Sequence, residues 1–246
     1  MTQDLFRDDG YLRECAATVV AVTPEGVVLD RTVFYPLGGG QAGDSGVLAL
    51  ADGHEVLVAD TRKAKDAEGR PTADILHVPA PGQDGLLAQL HPGTNVTARI
   101  DWERRHKLMR FHTATHLLCH LVPQLVNGCS ITPAYARLDF NMTDPLDKDQ
   151  LTSGIARLVG EAHPVVIASI SDEELDANPS LVKSMSVQPP RGTGRVRTIR
   201  VGDGTLVDYQ PCGGTHVANT SEIGSVVVTK IEKKSATTRR VVLGFA

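Results

Sequence analysis

The chain has 246 residues, 41% of them hydrophobic and 4% aromatic, with a formal net charge of -4. This is enough apolar material for one large domain or two smaller ones, and no apolar run approaches the ~18 residues of a membrane span. The polar start MTQDLFRDDGYLRE lacks a signal-peptide core, and four cysteines do not make a disulfide framework in a chain of this length, so a cytoplasmic protein without membrane contact is expected.

The first third reads as strands. CAATVVAVT is followed by a turn at Pro24-Glu25-Gly26 and then by VVLDRTVFY. GVLALADGHEVLVAD carries Asp52-Gly53 between two alternating apolar runs, a hairpin signal. TADILHV and TNVTARID read as further short strands, with AKDAEGRPT as a loop. Many short strands with frequent turns predict a small antiparallel β-barrel domain over residues 1–92.

From Asp101 the pattern changes. DWERRHKLMRFHTATHLLCHLVPQL predicts a helix with Asp101 as N-cap and Pro123 near its end. ARLDFN predicts a strand, DKDQLTSGIARLVGEAH a helix, VVIASIS a strand and DEELDANPSL a short helix. TLVDYQ and a closing strand pair complete an α+β domain over residues 93–246.

Within the first long helix, HTATH places His112 and His116 at i and i+4, on one face. A lone pair of this kind is often two satisfied core or surface histidines. Here PCGGTH adds Cys212 and His216 about a hundred residues later. One thiolate and three imidazoles make a sensible tetrahedral zinc set. Gly213 and Gly214 would let the backbone turn tightly beside the ion. Cys119 and His120 fall near the same helix face and rank behind as core or supporting residues. Thr113 stands where a zinc protease of the common kind carries its general-base glutamate, which argues against peptidase chemistry.

FYPLGGGQAGDSG, residues 34–46, is glycine-rich without the lysine of a phosphate loop or the spacing of a dinucleotide fingerprint. It reads either as a wide turn between strands or as a loop lying against a substrate. Three stretches are locally basic: RRHKLMR at 104–110, the segment 183–200 with five cations and no acid, and KIEKKSATTRR at 230–240. Each alone reads as a solvated face. Together, in the half that carries the histidines, they suit phosphate contacts.

HxxxH, the downstream CxxxH and the upstream FYxxxGGQxxDxG, in that order and spacing, resemble the editing region of alanyl-tRNA synthetase. Without an aminoacylation part, the chain resembles the free-standing AlaX editing proteins of the medium form, over roughly residues 16–242. The threonyl-tRNA synthetase editing domain is similar in its HxxxH and CxxxH, but the glycine-rich module and CGGTH favour the alanine type. The resemblance implies zinc on His112, His116, Cys212 and His216. It implies a pocket shaped by Gly39, Gly40, Gln41 and Asp44. In NGCSITPAY, Ser130 and Thr132 are candidates for reading a serine hydroxyl, with Thr132 preferred. Leu37 departs from the family, which often has glutamate there. The implied activity is hydrolysis of mischarged tRNA(Ala), chiefly Ser-tRNA(Ala) with Gly-tRNA(Ala) beside it. A zinc-stabilised tRNA-binding module without catalysis, a zinc hydrolase of small esters, and threonine-type editing of Ser-tRNA(Thr) are the alternatives. Nothing in the sequence selects monomer or dimer.

Overall fold

The structure, a computed structural model, describes residues 1–189 and 194–246. The class is mixed α+β, and the chain forms two compact units: Met1–Gly38 with Ala42–His106, and Gly39–Gln41 with Lys107–Ala246.

In the first unit the strands are β1 (Gln3–Asp4), β2 (Glu14–Thr23), β3 (Gly26–Leu29), β4 (Arg31–Thr32), β5 (Gly46–Leu50), β6 (Glu55–Lys65), β7 (Pro71–Pro79) and, after the short helix α1 (Asp84–Leu87), β8 (Asn95–Ile100). β1 and β4 pair in parallel. The other six close into a barrel in the order β2-β3-β7-β6-β5-β8. The alternation that marks these segments as strands also fills the barrel. Val56 and Val58 of β6 point in while Leu57 between them is exposed. With Val19, Leu29, Leu48, Val96 and Ile100 they form one core, each such side chain contributing about 1.5–3 kcal/mol. Asp52-Gly53 turns β5 into β6, with Gly53 at φ 89°. The sequence places a boundary near residue 92, whereas the compact units divide after His106. The reason is β8, which lies beyond residue 92 and hydrogen-bonds both β2 and β5.

His77 of β7 is fully buried, with Nδ1 against the Val27 carbonyl at 3.0 Å and Nε2 against the Thr32 hydroxyl at 2.8 Å. Burial pushes its pKa down to about 4, the Val27 bond opposing. The folded chain therefore binds this proton later than the unfolded chain as pH falls. Stability should drop by about 3 kcal/mol between pH 6.5 and about 4 from this residue alone, and should not change with it above that window. Urea unfolding across that range should show a smaller slope in His77→Gln; an unchanged slope would contradict the assignment.

The second unit holds most of α2 (Trp102–Leu121), then β9 (Val126–Ile131), β10 (Ala136–Asn141), α3 (Lys148–Gly160), β11 (Val165–Ser171), α4 (Asp172–Ala177), β12 (Arg195–Val201), β13 (Asp208–Pro211), β14 (Val226–Ser235) and β15 (Thr238–Phe245). They form a four-stranded sheet, β14-β15-β10-β9, and a three-stranded sheet, β11-β12-β13. Asp101 caps α2 by accepting from the Arg104 amide at 3.1 Å. Leu108, Met109, Phe111, Ala114, Leu117 and Leu118 are all fully buried, so α2 is enclosed on every side along its middle. α3 is the amphipathic partner: Asp147 caps it, and it buries Leu151, Ile155 and Leu158 where it packs on β14. β9 and β12 are strands the sequence reading did not assign; their glycine, serine and arginine content obscures the two-residue period. Among the described residues no helix is long and apolar enough to cross a membrane.

Candidate metal centre

α2 presents His112 and His116 one turn apart, with ring centroids 5.5 Å apart. The chain leaving β13 brings up Cys212 and His216, and the His216 ring lies 4.3 Å from that of His112 and 4.6 Å from that of His116. One ligand atom from each of the four residues lies within 4.8 Å of all the others. Cys212 Sγ is 3.4 Å from His112 Nε2 and 3.3 Å from His216 Nε2. A tetrahedral ion with bonds of about 2.0–2.3 Å requires ligand separations of about that size.

The far nitrogen of each ring is held by its own partner, as suits a histidine that could ligate a metal. His112 Nδ1 lies 2.7 Å from Gln41 Oε1, His116 Nδ1 lies 2.7 Å from Asp208 Oδ2, and His216 Nδ1 lies 3.2 Å from Thr113 Oγ1. Gln41 Oε1 and the Asp208 carboxylate only accept. The Thr113 hydroxyl donates to the Met109 carbonyl at 3.0 Å, which leaves its lone pairs for His216. Each Nδ1 therefore carries the proton, and three Nε2 lone pairs converge beside the thiol.

Burial alone would raise the Cys212 thiol, but the adjacent His112 and His216 outweigh it and hold it well below its ordinary value. His216 is pushed down to about 3 by burial and then by the charge of His112. Burial also works against a charged His116, but Asp208 prevails and raises it to about 9. A thiolate beside imidazoles is the ionisation state that metal binding demands, with the His116 proton displaced by the ion. The four residues could hold a metal ion, and their donor chemistry suits zinc.

The supporting groups were missed in the sequence. Asp208 and Gln210 stand two apart in β13, with Cys212 two further on, so strand periodicity places all three on one side. Gln210 Nε2 donates to Asp208 Oδ2 at 2.9 Å, and the Lys183 ammonium pairs with the other carboxylate oxygen. The signal was there in VDYQPC, but only the partner identifies it. Cys119 is buried with its thiol pushed up to about 12, chiefly by burial, and His120 is exposed; neither joins the ligand group.

The glycine-rich loop separates into two roles. Gln41 is fully buried in the second unit, where its amide nitrogen donates to the Thr215 hydroxyl at 2.9 Å and its oxygen accepts from the Thr215 amide at 3.2 Å as well as from His112. Both ends of its amide are thus committed to Thr215 and His112. Gly39 is exposed, and the Gly40 carbonyl accepts from the Ile131 amide at 2.7 Å, tying the tripeptide to the end of β9. Asp44 has other partners. It is fully buried in the first unit, accepts from the Tyr35 amide at 2.6 Å and is paired with the fully buried Arg105. Arg105 also donates to the carbonyls of Gly10 and Val33. A carboxylate so enclosed is committed to the fold. Asp44→Ala should destabilise the chain by about 3–5 kcal/mol in chemical denaturation, because an unpaired guanidinium is left inside. Thr132 lies at the end of β9, where its hydroxyl donates to the Tyr135 carbonyl at 3.0 Å and caps its own turn. Ser130 sits two residues earlier in the strand, and neither belongs to the four-residue ligand group.

The basic stretches are largely committed inside the protein. Arg104 donates to the Gly43 carbonyl. Arg110 donates to that of Ile223 and covers the Phe245 ring. In the second stretch Lys183 pairs with Asp208, and Arg191 lies outside the described residues. In the third, Arg240 pairs with Asp139 and Lys230 with Glu232, while Lys233 and Lys234 stand exposed at the tip of the β14–β15 hairpin.

Two family profiles match the chain. One, described as the threonyl and alanyl tRNA synthetase second additional domain, covers residues 196–242; the other, described as class II (A) tRNA synthetases, covers residues 8–104. A protein of Saccharolobus solfataricus named alanyl-tRNA editing protein AlaX-M is 33% identical over 98% of both chains. One of the same name from Methanosarcina acetivorans is 33% identical over 98% of this chain and 97% of its own. An alanine–tRNA ligase of Ignicoccus hospitalis is 34% identical over 94% of this chain, which spans 24% of that protein.

Proposed function

The chain belongs to the family of AlaX-M alanyl-tRNA editing proteins, and on that premise we propose that it hydrolyses the ester of tRNA(Ala) mischarged with serine and, beside it, with glycine. It is a deacylating hydrolase, and its partner is tRNA. The observation that carries the reading is the convergence of three Nε2 atoms and one thiolate, each imidazole held by its own acceptor. The need for such an enzyme is physical. A synthetic site for alanine separates serine or glycine from it by only about 1–3 kcal/mol, because the differences are small in size. A second pocket that hydrogen-bonds the serine hydroxyl rejects alanine, which would leave the pocket's polar groups unpaired.

Zinc on His112, His116, Cys212 and His216 would supply positive charge to order the aminoacyl end. With four protein ligands the site has a closed character, and the reading gives the attack to a water molecule. Asp208 is committed to His116, Gln210 and Lys183 and is not a free base. Gly39, Gly40 and Thr132 are proposed to line the amino-acid pocket, with Gln41 acting through His112. The test is deacylation of Ser-, Gly- and Ala-tRNA(Ala), with Ser-tRNA(Thr) as control. Cleavage of Ser-tRNA(Ala) with Ala-tRNA(Ala) spared is expected. Cleavage of Ser-tRNA(Thr) alone would move the protein to the threonine type, and tRNA binding without any turnover would leave a binding module.

A further inference from the structure

We infer that Arg197 is a positioning residue that locks the loop Cys212–Gly214 so that the backbone N–H of Gly213 is presented to the carbonyl oxygen of the ester during hydrolysis. This rests on the proposed deacylation. Arg197 lies half-buried in β12, the central strand of its sheet. Its Nη1 donates to the carbonyl of Cys212 at 2.6 Å and to that of Gly214 at 3.1 Å. Its own carbonyl accepts from the Cys212 amide at 3.2 Å. One residue thus holds both backbone polar groups of a ligand residue and the carbonyl two positions on. The two glycines have no side chains to fix their backbone, so the clamp supplies the order they lack.

The direction of the amides follows. Among the described residues there are no cis peptide bonds, and in a trans peptide the C=O and the next N–H point opposite ways. With the Gly214 carbonyl on Arg197, the Thr215 N–H must point away from it. It does, donating to Gln41 Oε1 at 3.2 Å, the same oxygen that faces His112 Nδ1. Away from Arg197 is therefore the imidazole side. The Cys212 carbonyl is held by the same Nη1, which turns the Gly213 N–H from Arg197 in the same way. Gly213 is exposed, between half-buried Cys212 and buried Gly214, and its N–H has no acceptor among the described residues. A guanidinium on the carbonyl side also polarises the peptide and strengthens its N–H as a donor.

In the reaction, water adds to the ester carbonyl carbon and its oxygen gains negative charge. The bond to the ribose oxygen then breaks, and that oxygen takes up the proton the water gives up. A fixed N–H at the developing charge is worth about 100- to 1,000-fold in rate. Single-turnover and steady-state deacylation of Ser-tRNA(Ala), with bound zinc per chain measured in parallel, tests the inference. Arg197→Ala should lower kcat about 10- to 100-fold with KM and zinc content little changed, and Arg197→Lys should recover part of the loss. Gly213→Pro removes the N–H and should cost about 100-fold with zinc content retained. Full turnover in Arg197→Ala, or full turnover in Gly213→Pro, would overturn the inference. So would a loss of zinc that tracks the loss of rate. Wild-type protein inactive on every mischarged tRNA(Ala) would instead defeat the reading on which it rests.

Discussion

Cys212→Ala is expected to strip the metal from the protein and to lower Ser-tRNA(Ala) deacylation by more than about 100-fold. Removing the partner of a ligand commonly costs 10–100-fold in metal affinity or activity, and losing a ligand should exceed that. Cys212 is also the anionic member of the set, held as a thiolate against its own burial by His112 and His216. Without it, three neutral imidazoles would hold the ion with no anionic ligand to offset its charge. His112→Ala should give the same result by a second route, since it removes a ligand and leaves buried Gln41 Oε1 with only the Thr215 amide. Elemental analysis of the purified variants and single-turnover deacylation give the two readouts, with far-UV circular dichroism as the control for fold. Undiminished turnover in metal-stripped wild-type protein would defeat the zinc-dependent reading.

Gly214→Ala is expected to be nearly as damaging, although it adds a single methyl group. A Cβ at this position would lie 2.1 Å from His112 Cε1 and 2.4 Å from His112 Nδ1, with Gln41 Oε1 at 3.0 Å. The backbone cannot retreat easily, because Arg197 holds the carbonyls of Cys212 and Gly214 from the other side. The His112 ring would have to turn, breaking its bond to Gln41 and withdrawing its Nε2 from the ligand group. Overpacking of this kind costs about 1–3 kcal/mol in stability, which the fold should survive, so the loss should appear in zinc content and rate. Retention of both would mean that the loop relaxes and the close approach is not required.

The α+β class, the hairpin at Asp52-Gly53, the cap at Asp101 and the cluster of three histidines and one cysteine that could hold a metal were all legible, because each depends on short-range chemistry. Two histidines at i and i+4 share a helix face whatever surrounds them. Turn residues and caps act over a few positions. The enclosed middle of α2 was less legible, since a helix buried on all sides shows no stripe.

What sequence by itself determined, then, is the histidine and cysteine cluster that could hold a metal, and the local elements that carry it. What only the tertiary structure decided is the use made of residues with more than one possible partner. Gln41 and Asp44 lie three residues apart in one glycine-rich segment, yet Gln41 holds the His112 ring in the second unit and Asp44 neutralises Arg105 in the first. The cations of the basic stretches read as a surface for phosphates, but most are spent on carbonyls and carboxylates of the protein itself. Arginine, lysine, aspartate and glutamine take their roles from whichever complementary group the fold brings within about 3 Å. That group is often a hundred residues away, and no local pattern encodes the distance.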